Sequence, residues 1–128
     1  MIEYTVKVYD NGRIEWFVND VFHREDGPAV EFPHGRKDWW INGVRHSEDG
    51  PAIKYNSGEK YWFLNDKLHR EDGPAVEMPD GKKEWHIDGK ELTEQEFLNR
   101  TAPHKIVIDN KTIGLSEESY QEFKNSLT

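Results

Sequence analysis

Three times, at a step of 23 residues, the chain sets an imidazole just ahead of two adjacent carboxylates: His23 with Glu25 and Asp26, His46 with Glu48 and Asp49, His69 with Glu71 and Asp72. Such groups can do acid–base chemistry or hold a divalent metal. The spacing argues against both. In a sheet, equivalent residues of successive units stand two strands apart, roughly 9–10 Å at ordinary strand spacing. Imidazoles that share a zinc ion approach it to about 2.0–2.1 Å, so the three histidines do not converge on one ion. No metal ligand is assigned, and no cofactor is expected. Within one unit, the sharp Asp-Gly-Pro corner brings His and Asp together. Asp26, Asp49 and Asp72 are therefore expected to serve that turn with the neighbouring histidine as partner. No G-x-S-x-G, P-loop or dinucleotide fingerprint is present. Catalysis normally breaks repeat symmetry at one place, and this chain breaks it only at its ends. No catalytic residue is assigned and no enzyme is expected.

The elements that carry these groups repeat with them. The same step links Gly12, Gly35, Gly58 and Gly81, then Trp16, Trp39, Trp62 and Trp85, then Asn19, Asn42, Asn65 and Asp88. A period in the range of about 20–50 residues marks a stacked repeat architecture. Each unit reads as two strands and two turns: AVEF, a turn at PHG, the returning strand KDWWI, and a turn at NG. Asn-Gly and Pro-x-Gly corners accept positive φ, and the residue before proline is held extended. The expected fold is mainly β, an antiparallel meander of hairpins over residues 3 to 90. Each unit leans only on its neighbours.

A fourth His-x-Glu-Asp fails to appear after position 92, where the chain reads LTEQEFLNR. Thr93 and Glu96 form a capping box, which predicts a short helix near 94–100. IVIDNKTIGL predicts a hairpin around Asn110. Ser116 followed by Glu117 and Glu118 predicts a second helix near 117–126, with Tyr120, Phe123 and Leu127 on one face. The chain thus divides into an array over 1–92 and an α+β extension over 93–128.

Composition narrows the class. A 128-residue chain with five Trp, five Tyr and six Phe can close a thin core, since each ring buries roughly 150–250 Å². Cysteine is absent, so thiolate chemistry and disulfides are excluded. MIEYTVKVYD is not a secretory leader, and no run approaches the roughly 20 apolar residues of a membrane span. A net charge of −8 opposes direct nucleic-acid binding and attachment to anionic lipid. A soluble cytoplasmic protein is expected, in the host cytoplasm if the chain is viral.

FPHGRKDWWINGVRH and YNSGEKYWFLNDKLH resemble the MORN motif, a 23-residue unit with a Gly corner, a tryptophan strand and Asn-Gly-x-x-His-Gly. The HREDGPA variant is similar to MORN-like arrays of small bacterial, phage and giant-virus proteins, some described as antitoxin components. The resemblance covers residues 9 to about 92. Here Glu-Asp-Gly-Pro-Ala follows the His, where MORN units carry Gly-x-Gly. The resemblance implies a single-layer β-meander that binds other macromolecules and has no enzymatic activity.

Alternation along the returning strands separates two faces. Trp16 and Val18, Trp39 and Ile41, Trp62 and Leu64, Trp85 and Ile87 share the apolar one, expected to be the core. Glu15 and Phe17, Asp38 and Trp40, Tyr61 and Phe63, Glu84 and His86 share the other, which mixes acids with aromatics. Either the C-terminal helix or a second copy of the chain (a homodimer) covers that second face, or it docks a protein partner with a basic surface. The docking reading makes the chain a phage- or mobile-element-type inhibitor of a host defence or nucleic-acid-processing protein. The alternative is a small-ligand protein that sequesters nucleotides or sugars on the aromatics.

Overall fold

Residues in the left-handed region mark the corners of the repeat. Asn19 and Asp20 (φ 49° and 64°), Asn42 and Gly43 (49° and 79°), Asn65 and Asp66 (50° and 67°) and Asp88 and Gly89 (49° and 81°) form two-residue turns. Their twist matches that of the hairpins they close. The computed structural model describes residues 1–127.

The array is mainly β, in sequential antiparallel hairpins. Its first unit holds β1 (Thr5–Val8), β2 (Ile14–Val18) and β3 (Val21–Phe22). The second holds β4 (Val30–Glu31), β5 (Lys37–Asp38), β6 (Trp40–Ile41) and β7 (Val44–Arg45). The third repeats this pattern in β8 (Ile53–Lys54), β9 (Lys60–Tyr61), β10 (Phe63–Leu64) and β11 (Lys67–Leu68). The fourth has β12 (Val76–Glu77), β13 (Lys83–Ile87) and β14 (Lys90–Leu92). One open sheet runs β1-β2-β4-β5-β8-β9-β12-β13-β14, with β3 paired to β2, while β6–β7 and β10–β11 form small ribbons beside it.

The structure corrects the expected returning strand. KDWWI splits into β5 and β6, because Trp39 belongs to neither ladder. Its N–H donates to Ala52 O at 2.6 Å and its carbonyl accepts from His46 N at 3.2 Å. Trp62 repeats the switch with Ala75 O and His69 N at 2.8 and 3.0 Å. The first half of each returning strand thus pairs with its sheet neighbours, and the second half with the hairpin that follows.

The tail docks through one close approach. α1 (Glu94–Thr101) begins at the Thr93–Glu96 capping box, which holds the Glu96 carboxyl below its ordinary range through the Thr93 N–H and hydroxyl. It packs on β13, β14 and β16 and buries Phe97. The hairpin of β15 (His104–Ile108) and β16 (Lys111–Leu115) meets it at Gly114. A β-carbon there would fall 2.1 Å from Leu98 O, so only glycine fits. Asn99 Oδ1 accepts from Gly114 N at 2.7 Å. α2 (Glu117–Ser126) is capped by Ser116 and stacks Tyr120 on His104, ring centroids 3.8 Å apart. The expected apolar stripe of α2 stops at Phe123, since Leu127 is 71% exposed.

Candidate functional site

Register across the sheet builds one row of facing residues: Lys7, Glu15, Val30, Asp38, Ile53, Tyr61, Val76 and Glu84. Branched aliphatics from one strand of each hairpin alternate with acids or tyrosine from the other. The row is closed. Glu15 and Asp38 are only 5% and 2% exposed. Both carboxylates are paired two residues back on their own face. Arg36 grips Asp38 in a fork, Nε and Nη2 each donating to one carboxylate oxygen at 2.8 Å, and its pKa is raised by that bond. Arg13 pairs with Glu15, which also accepts from Tyr9 Oη at 2.8 Å. That donated bond holds the Tyr9 phenol above its ordinary pKa, while burial does the same for Tyr61.

The arginines also stack on rings. Arg13 lies 5.1 Å from the Phe32 centroid, and Arg36 lies 4.9 Å from both Phe32 and Tyr55. A second stack runs through the outer hairpins. Lys7 stands over Phe17 at 4.9 Å, Phe17 stacks on Phe22 at 4.9 Å, and Phe22 meets Trp40 at 5.3 Å. Arg45 then caps Trp40 at 4.9 Å and reaches Phe63 at 5.8 Å. Opposite quadrupole and charge make each contact attractive. Of the residues assigned from sequence as the docking face, Glu15, Asp38 and His86 are therefore buried, and Phe17, Trp40, Tyr61, Phe63 and Glu84 are half-buried among them. These pairings leave little of the Glu15 and Asp38 carboxylates on the surface.

His86 Nε2 lies 3.1 Å from Glu84 and 4.0 Å from Glu91. Among the described residues these three form the one group able to supply three metal ligands. Sequence reasoning missed it because Glu91 arrives only through the β13–β14 register, which sets it opposite His86.

The opposite face is where the chain stays open. Each His-x-Glu-Asp-Gly-Pro loop is pinned to the unit after it. His23 Nδ1 accepts from Asn42 N at 2.9 Å, His46 from Asn65 N at 3.2 Å, and His69 from Asp88 N at 2.9 Å. Each Nε2 faces the loop's glutamate, Glu25, Glu48 or Glu71, at 3.4 or 3.5 Å. This overturns the expected His–Asp pairing. Asp26 and Asp72 bond arginines instead, Arg24 and Arg70. The histidine serves as a clamp between units.

Two clefts lie between successive loops. The first, of about 740 Å³, has Trp39 and Ile41 as its floor, with Glu25 and Asp26 on one wall and Glu48 and Asp49 on the other. The second, of about 600 Å³, has Trp62 and Leu64 with Glu48, Asp49, Glu71 and Asp72, and Arg70 lies over its tryptophan. Ala29, Ala52 and Ala75, fully buried, accept backbone hydrogen bonds from Trp16, Trp39 and Trp62 beneath the grooves. At the array's ends the chain covers these positions itself. Tyr4 sets its ring edge-on to Trp16 at 5.2 Å and accepts from Glu25 N, while α1 covers β13 and β14. The sequence displayed the carboxylates and tryptophans of these clefts, but their juxtaposition across successive units was not read from it. Comparison with protein-family models, with curated proteins and with solved structures gives no match.

Proposed function

We propose that the chain is a non-catalytic protein-interaction module that docks a basic surface of another protein along its two acidic, tryptophan-floored clefts. The observation that carries this reading is the contrast within the repeat. End positions are covered in cis by Tyr4 and α1, whereas the two inner clefts of the same build stay open. An apolar floor with a rim of four carboxylates against one arginine, Arg24 or Arg70, suits a partner that brings positive charge and buries a side chain. The same carboxylates repel anionic nucleotides, which disfavours the sequestering reading. The resemblance of its repeat to the MORN motif agrees with a binding role, and the similarity of the HREDGPA variant to phage and antitoxin arrays favours an inhibitor of a basic, nucleic-acid-handling target.

The test is capture by the immobilised chain beside a variant carrying Glu25→Gln, Asp26→Asn, Glu48→Gln and Asp49→Asn. A stoichiometric basic partner, lost from the variant and weakened by salt, supports the reading. The same partner held equally by the variant overturns it.

A further inference from the structure

The loops over 24–28, 47–51 and 70–74 are three copies of one structure with one decisive difference. In the first, the Arg24 guanidinium lies 4.0 Å above the Trp16 ring, its Nε donates to Asp26 at 3.0 Å, and Nη1 donates to Pro28 O at 3.3 Å. In the third, Arg70 repeats the set over Trp62: 4.0 Å to the ring, 2.8 Å to Asp72 and 3.1 Å to Pro74 O. In the second, the place of the arginine is taken by Ser47. Trp39, Asp49 and Pro51 keep their places, yet no guanidinium lies among them.

The space confirms the difference. A β-carbon added to Gly27 or Gly73 would come within 2.8 Å of the arginine Cζ, whereas one added to Gly50 meets nothing within 4 Å. Among the described residues, Asp49 has no hydrogen-bond or ion-pair partner. The chain itself therefore supplies two filled examples of a guanidinium seat and one open copy of it, facing the larger cleft.

We infer that the Trp39–Asp49–Pro51 seat binds the arginine side chain of a basic protein segment. The inference rests on the reading of the clefts as docking surfaces and names the chemistry that one of them takes. A guanidinium satisfies all three groups at once: its flat face lies on the indole, while its fork of N–H donors meets a carboxylate and a carbonyl. A lysine ammonium, compact and strongly hydrated, stacks less well and offers no such fork. The cleft, at about 740 Å³, is larger than one guanidinium. Its far wall adds Glu25, beside Asp26 in its pair with Arg24, and the exposed Glu25 suits a segment with further positive charge.

The experiment titrates three probes: a basic peptide with one arginine among lysines, the same peptide with lysine there, and free L-arginine. Each is added to the full chain, to Ser47→Arg and to Arg70→Ser, with indole fluorescence giving affinity and calorimetry giving stoichiometry. The full chain binds one arginine peptide, with the lysine peptide about tenfold weaker, the scale of one good cation–π contact. Ser47→Arg fills the seat in cis and loses that binding with its fold intact. Arg70→Ser opens a second seat and binds two peptides. Unchanged binding by Ser47→Arg, or equal affinity for the two peptides, overturns the seat and leaves docking by general acidity standing. Free arginine as tight as the peptide overturns the assignment to a protein partner. No binding by any probe overturns the seat outright.

Discussion

The two faces of the sheet reverse what their composition suggests. The face written with Glu15, Asp38, Arg13 and Arg36 is closed, and the face written with Trp39 and Trp62 is open. Charges of opposite sign alternate with rings along each row of the first face. Glu15 and Asp38 each find a cation two residues earlier in the chain, so that part of the row satisfies itself without a second layer. On the second face each tryptophan stands beside an alanine. Grooves run between the Gly-Pro corners, where Arg24 and Arg70 lie over Trp16 and Trp62 and, among the described residues, no guanidinium lies over Trp39. A polar residue is exposed when nothing in the chain answers it, and the spacing of its partners decides that.

The largest effect should come from the closed face. Asp38→Ala strands Arg36, and its cost should be about 3 kcal/mol, the low end for breaking a buried pair, since Arg36 keeps 23% of its side chain in water. Asp49→Ala, without a partner to strand, should stay within about 0.5 kcal/mol. Urea unfolding of both variants checks the pair of values, and equal losses would erase the distinction between the faces. Next come the adjacent tryptophans. Trp40, held between Phe22 and Arg45, should cost about 2 kcal/mol on truncation to alanine, below the value for a full core ring because it is half-buried. Trp39→Ala should cost less stability, and it alone should lose binding of the arginine peptide.

The smallest effect is a titration. Tyr9 donates to Glu15, which raises its pKa above 10.0. A raised folded pKa gives a contribution complete below the unfolded value and lost as pH rises through the folded one. Stability should therefore decline above about pH 10, and Tyr9→Phe should remove that part of the decline. Ultraviolet titration of the phenols beside thermal unfolding measures it.

Much of this was legible in the sequence because it is local. The 23-residue step, the Asn-Gly and Asn-Asp corners and the caps at Thr93 and Ser116 depend on residues a few places apart, and each appears where it was expected. The split at Trp39 was not legible, because it is made by Ala52 and His46 from the next unit. Nor was the closure of the acidic face. Alternation tells which residues share a face, while the pairing of Arg36 with Asp38 needed the side-chain geometry. The change from His-Arg-Glu-Asp to His-Ser-Glu-Asp stood in plain view at Ser47. It acquired meaning only once Arg24 and Arg70 were seen lying on the tryptophans beneath them.

The most direct measurement follows the five indole N–H signals by nuclear magnetic resonance while the arginine peptide is added to the full chain. Trp39 should shift most, Trp62 less through the neighbouring cleft, and Trp40 should stay in place. A shift centred on Trp40, with Trp39 unmoved, would put the partner on the acidic-aromatic face and contradict the assignment of docking to the clefts.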